Sequence, residues 1–201
     1  MRRYLHAFYL FDERPTEDAS IDVYVANHIS RFDGFAIDCV HRRYRAGGRL
    51  FMIVLRRRIH RFSIFRMAGA FRIQPGSTAS GKSLLNLIHT TLRPGDSVSI
   101  FPQGEIFPQD TSVDDLPTGY LHFAKAPGRV RYIPVALAIE MFEHARPSLF
   151  ARVGTPVESA NRDELQLAVT AALRENNHRL RTMLKENGEK SPFHWEGVRI
   201  F

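Results

Sequence analysis

His28 and Asp33 are the side chains in this sequence best placed to do chemistry. They lie in Ile21-Asp22-Val23-Tyr24-Val25-Ala26-Asn27-His28-Ile29-Ser30-Arg31-Phe32-Asp33, where an apolar, strand-like run breaks into a polar turn. A neutral imidazole can take a proton from a hydroxyl near pH 7, and a carboxylate on its other nitrogen orients it for that work. The spacing sets a condition. Positions five apart in a regular helix diverge by about 140° around the axis. The two side chains can therefore meet only if His28 sits in the turn and Asp33 in the first turn of a following helix. Ser30 suits an N-cap, and Ser30-x-x-Asp33 fits the capping-box pattern. The same residues thus carry a second reading, in which Asp33 caps a helix and His28 is an ordinary loop histidine.

The elements that must position this pair are legible around it. Strand-like runs fall at Ile21–Ala26, Leu50–Leu55, Ala70–Ile73, Ser97–Phe101, Tyr132–Ala138 and Leu149–Val153. Helical patterns fall between them at Asp33–Arg43, Leu55–Met67 and Ser83–Leu92. A final helix is capped by Asn161, carries the apolar stripe Leu165, Val169, Ala172, Leu173, Leu180 and Leu184, and stops at Gly188. Strands alternating with helices predict an α/β fold, a mixed and largely parallel sheet flanked by helices. With 201 residues, no repeat and no linker-like stretch, residues 1–201 read as one domain.

Composition narrows the partners. No Asp or Glu occurs between Val40 and Gly95, while ten arginines from Arg42 to Arg72, with Lys82 and Arg93, give that stretch +12. The rest of the chain is then −5 within the total of +7. Such a block suits an anionic partner, and Leu55, Ile59, Phe62 and Phe65 on one helical face would make a basic amphipathic helix for a membrane surface. A solvated surface helix packed on the sheet would carry the same pattern. No nucleic-acid-binding module accompanies the arginines, so nucleic acid is not expected. The longest clear apolar run, Phe51–Leu55, is far short of the ~20 residues that span a bilayer. The N-terminal Met1–Phe11 lacks the apolar centre of a leader peptide. The expected location is cytoplasmic, at the membrane periphery. The single cysteine, Cys39, reads as a small buried residue. The histidines show no metal-ligand spacing, so no metal is expected.

A second polar cluster ends another strand at Ser97-Val-Ser-Ile-Phe101-Pro102-Gln103-Gly104-Glu105-Ile106. Pro102 stops ladder pairing, Gly104 lets backbone approach a ligand, and Gln103 and Glu105 project where ligands collect in α/β sheets. Together these pieces resemble the glycerolipid acyltransferase family, the PlsC-like lysophospholipid acyltransferases. The first family motif, Asn-His-x4-Asp, is intact at Asn27-His28 to Asp33. The second is matched loosely by Gly69-Ala70-Phe71-Arg72-Ile73-Gln74-Pro75. The third, Phe-Pro-Glu-Gly-Thr-Arg, corresponds to Phe101–Ile106, and the fourth to Tyr132-Ile133-Pro134-Val135-Ala136. Order and spacing agree over roughly Ile21 to Val157.

The resemblance implies that His28 is the general base on an acceptor hydroxyl and that Asp33 orients it. It implies an acyl thioester of coenzyme A or acyl carrier protein as co-substrate, no resident cofactor, and a lipid or glycolipid acceptor. The substrate-facing set it implies is Asn27, Ser30, Arg31, Arg72, Phe101, Pro102, Gln103, Gly104 and Glu105, with backbone N–H groups near Gly104 placed to meet an oxyanion. Pro75 replaces the second motif's Arg and Gln74 its Asp. Gln103 and Ile106 replace the third motif's Glu and Arg. Those family residues bind a phosphorylated acceptor, so their loss points to an uncharged or sugar-like hydroxyl.

Two rivals use other residues. Gly76-Ser77-Thr78-Ala79-Ser80-Gly81-Lys82-Ser83 matches the phosphate-binding P-loop pattern, although the next strand offers no aspartate for Mg²⁺. The arginine block alone would serve a non-catalytic membrane- or nucleic-acid-binding module. The aromatic tail Ser191–Phe201 is expected to fold back on the core or to touch a bilayer interface.

Overall fold

The strand β2 (Ile21–Ala26) is buried at every one of its six residues, and such a strand belongs in the middle of a sheet covered on both faces. That is where it lies. The computed structural model describes residues 3–12, 19–45, 47–55, 70–74, 77–114, 116–188 and 198–200. In chain order its elements are β1 (Phe8–Asp12), β2, α1 (Asp33–Tyr44), β3 (Leu50–Leu55), β4 (Ala70–Ile73), α2 (Thr78–Asn86), β5 (Ser97–Ile100), a 3₁₀ helix (Thr118–Lys125), β6 (Val130–Glu140), β7 (Ser148–Val153), α3 (Arg162–Asn187) and β8 (Val198–Arg199).

The eight described strands form one sheet in the order β4-β3-β5-β2-β6-β7-β1-β8. Neighbours from β4 through to β6 run parallel. The β6–β7 pair is antiparallel, β1 joins β7 in parallel, and β8 closes the edge antiparallel to β1. The mixed, largely parallel α/β sheet expected from the sequence is therefore present. Side-chain alternation along β2 sorts the core into two layers. Ile21, Val23 and Val25 pack with the π turn Leu87–Thr91, the 3₁₀ helix and the first half of α3, through Leu165, Val169 and Leu173. Tyr24 and Ala26 pack on the opposite face with Ala36, Ile37 and Val40 of α1. The 26 residues of α3 reach roughly 39 Å at 1.5 Å per residue. Its far end therefore covers β1 and β7 through Leu180 and Leu184.

Two expectations change. The helix expected at Ser83–Leu92 starts at Thr78, because the Ser77 hydroxyl accepts the Ser80 N–H (3.3 Å) and caps it there. It runs on as a π turn over Leu87–Thr91. The strand β1 lies in a segment weighed only as a leader, and its partner β7 is some 140 residues away. The helix expected at Leu55–Met67 lies outside the described residues beyond Leu55, which ends β3, and so do the aromatics Phe193, Trp195 and Phe201. What is described of the tail returns to the sheet, where Ile200 donates its N–H to Phe8 O (2.8 Å).

Candidate active site

The parallel run from β4 to β6 sends the C-terminal ends of β2 and β5 to one edge of the sheet, where ligands collect in such folds. At that edge β2 gives way to the turn Asn27–Phe32, and α1 begins at Asp33. His28 Nδ1 lies 2.7 Å from Asp33 Oδ2. The same carboxylate, fully buried, accepts the N–H groups of Ile29 (2.7 Å) and Ser30 (2.9 Å) and the Ser30 hydroxyl (2.5 Å). The turn-to-helix junction required by the five-residue spacing is thus met.

Capping and orienting prove to be one arrangement. Asp33 ties the turn that precedes its own helix and holds the imidazole with the same oxygen. Ser30 is not the N-cap: its hydroxyl accepts from Phe32 N–H (3.1 Å), and Phe32 occupies the cap position. A carboxylate already filled by donors is an acceptor, so the group that faces it from the imidazole is an N–H at Nδ1. The His28 side chain is 22% exposed, while Asp33 is closed off. A base needs that combination of a fixed ring and access from solvent.

The third-motif segment grips the rest of His28. The Phe101 ring stacks on the imidazole, with centroids 4.6 Å apart at 25°. Gln103 Oε1 accepts the His28 N–H (2.7 Å), and the His28 carbonyl accepts the Phe107 N–H (2.9 Å). An amide oxygen accepts this N–H as a carboxylate oxygen could, so the Gln at a family Glu position anchors His28. Gly104, at φ 73°, makes the turn that brings the segment back, a conformation costly for other residues. Its N–H is given to Phe101 O (3.0 Å).

Other expected site residues divide. Asn27 is buried, donating to Leu137 O (2.9 Å) and accepting the Leu137 N–H (2.8 Å), so both ends of its amide extend the β2–β6 pairing rather than face a ligand. Pro102 is buried as well, and the Ser30 hydroxyl is committed to Asp33 and Phe32. Arg31 and Glu105 are exposed beside the turn. Arg72 lies on β4, three strands from β2, and its side chain falls outside the described residues. Sequence reasoning missed Gln109. It donates to Glu140 Oε1 (2.7 Å) and accepts the Ile139 N–H (3.1 Å), and a lone glutamine in a loop gives no sequence signal for such a role.

The P-loop reading does not survive the geometry. A phosphate cradle needs converging free N–H groups in a loop. Here Thr78–Asn86 is helix, and the N–H groups of Ser80 and Gly81 already bond to Ser77. The arginine block is also less free than its sequence suggests. Arg42 pairs with Asp38 (2.8 Å), Arg45 with Asp22 (2.8 Å) and Arg49 with Asp96 (2.6 Å). Arg56, Arg57, Arg58, Arg61 and Arg66 lie outside the described residues. Burial pushes the Cys39 thiol up to about 11, with help from the Asp38 charge, which makes it a poor nucleophile.

The acyltransferase family model matches residues 13–138, a span that includes both turns and most of β6. The chain belongs to the glycerolipid acyltransferase family. No curated protein sequence matches it. The two turns of this acyltransferase carry the residues that resemble the first and third family motifs, and the hydrogen bonds between them join the turns into one structure at the sheet edge. The fourth motif lies in the scaffold. Pro134 of β6 pairs with Val25, and its carbonyl accepts from Gly154 N–H (2.9 Å) and Asn176 Nδ2 (3.0 Å). Among the described residues, no helix is long and apolar enough to cross a membrane.

Proposed function

We propose that this acyltransferase moves a fatty acyl group from an acyl thioester, carried by coenzyme A or acyl carrier protein, to a hydroxyl of a lipid or glycolipid acceptor. His28 is the general base and Asp33 holds it. The observation that carries this reading is the 2.7 Å contact of Nδ1 with a buried carboxylate beneath a ring that remains partly exposed. Nε2 takes the proton from the acceptor hydroxyl as its oxygen attacks the thioester carbonyl carbon. The tetrahedral adduct collapses with cleavage of the C–S bond, and the imidazolium returns its proton to the departing thiolate. Base assistance of this kind contributes typically ~10²–10⁴ in rate.

The acceptor is uncharged at the position next to its hydroxyl. Gln103 brings no charge, Ile106 stands 43% exposed where the family has a cation, and exposed Glu105 repels a phosphate. Exposed Ile106 and Phe107 also suit an acceptor presented from a lipid phase. The Arg42–Arg72 region provides peripheral contact with an anionic membrane, on the cytoplasmic side, through its arginines.

The test is incubation with acyl-CoA and a panel of lipid acceptors, following thiol release and product mass for the wild type and H28A. His28-dependent ester formation on a neutral or sugar hydroxyl is the expected result. Faster acylation of lysophosphatidic acid than of every neutral acceptor would overturn the acceptor assignment. Equal thiol release by H28A would overturn the base.

A further inference from the structure

We propose that Gln109 and Glu140 form a positioning clamp that holds the third-motif segment, and through it His28, in register for turnover. The proposal rests on His28 being the base. Of the holds on that residue, only the Asp33 bond comes from its own turn. The other three come from one segment, through Phe101, Gln103 and Phe107. That segment leaves the core at buried Pro102 and regains it at Val113. Every residue from Glu105 to Ser112 is exposed except Gln109, which is half-buried.

Gln109 is therefore the point at which this exposed stretch is fastened to the sheet. Its amide is used at both ends, giving Nε2 to Glu140 Oε1 (2.7 Å) and receiving the Ile139 N–H on its oxygen (3.1 Å). Both partners lie at the end of β6, the 11-residue strand whose middle is wholly buried. Two positions earlier on β6, Leu137 takes the Asn27 amide in the same two-ended manner. The end of β6 thus anchors both turns, Asn27 on one side of His28 and Gln109 beyond Phe107. Gln109 touches no reacting atom and acts only by fixing where Phe107 presents its N–H to the His28 carbonyl.

Small displacements of a reacting group by a remote change can cost up to ~10²-fold in rate. The test compares wild type, H28A, Q109A, Q109E and the Q109E/E140Q exchange, assayed with palmitoyl-CoA and the acceptor that the wild type uses fastest. Thermal melts confirm folding, and ¹H NMR follows the His28 Nδ1 proton. Q109A is expected to lose about tenfold or more in kcat with KM for palmitoyl-CoA within about twofold, and to broaden the His28 proton signal. Q109E sets two carboxylates against each other and falls similarly. The exchange returns a donor opposite an acceptor and recovers most of the loss. If Q109A keeps kcat within twofold and a sharp signal while H28A is inactive, the clamp is wrong and the base stands. If H28A turns over like the wild type, the base reading falls and takes the clamp with it. Should Q109A not fold, equal kcat in Q109E and the exchange mutant overturns the clamp, and recovery in the exchange supports it.

Discussion

The two ends of β2 each carry a fully buried aspartate that gathers donors, and they differ in what those donors leave open. Asp22, near the start of the strand, accepts from Ser20 (3.1 Å), from Arg45 through Nε (2.8 Å) and Nη2 (2.9 Å), and from Arg131 through Nε (3.0 Å) and Nη2 (2.9 Å). Both guanidiniums are buried too, so the cluster is closed. Asp33, beyond the other end, accepts from two backbone amides, one hydroxyl and one imidazole, and the imidazole side chain is 22% exposed. A buried carboxylate with many partners is therefore no mark of a catalytic site. What sets Asp33 apart is a titratable partner that is held at Nδ1 and partly exposed. Arginine cannot fill that role, because it stays charged and offers no lone pair.

The contrast can be broken from either end. H28A is expected to cut kcat by ~10²–10⁴ while leaving the urea midpoint within error of wild type, since the ring is a partner of Asp33 and not its only one. D22A is expected to do the reverse. It strands two buried guanidiniums and costs about 3–5 kcal/mol of unfolding free energy, with the kcat of the folded fraction unchanged. If D22A lost turnover without losing stability, the division between the two ends would be wrong.

D33N should fall between them and show both effects. An amide nitrogen would face N–H groups that now find an oxygen, so stability drops by about 1.5–3 kcal/mol. The imidazole also loses its orienting partner, so kcat drops as well. A D33N protein with normal kcat would show that Asp33 is only a cap.

The smallest effect belongs to His41, which lies buried between α1 and β5 with Ser97 Oγ and Gly48 O each 3.1 Å from a ring nitrogen. Burial holds its pKa below the ordinary 6.5, and the Arg42 charge lowers it further, against the opposing pull of Gly48, Asp38 and Asp22. The unfolded chain then takes up the proton first. The stability His41 permits is full above pH 6.5 and is lost as pH falls from 6.5 through the lower folded value. Stability measured by denaturant between pH 7.5 and 5 should decline in the wild type and decline less in H41Q. Parallel slopes would show that other groups carry the acid response.

Much of this was readable in advance for a local reason. The strands β2, β3 and β4 lie where their apolar runs end, and the α3 cap works as its sequence states, with the Asn161 side chain accepting from Asp163 and Glu164. The His28–Asp33 contact spans five residues, so turn geometry alone could be checked against it. What escaped involved distant partners or reassigned side chains. Asn27 was expected to face substrate and instead splices β2 to Leu137, 110 residues away. Ser77 rather than Ser83 began α2, because capping depends on which hydroxyl the local backbone meets. The arginine block looked free because its neutralising acids, Asp22 and Asp38, precede it, and Asp96 follows it.

The sequence by itself determined the alternation that makes an α/β sheet, the turn that brings Asp33 beneath His28, and the motif order that marks the acyltransferase family. These follow from near-neighbour physics: side-chain period, turn residues and hydrogen bonds spanning a few positions. Only the tertiary structure decided which buried carboxylate is closed off by guanidiniums and which holds a partly exposed imidazole. It also decided that Gln103 and Phe107 hold His28 from 75 and more residues away, and that the end of β6 fastens both turns. Those contacts join segments whose separation along the chain carries no pattern, and folding the sheet is what sets them side by side.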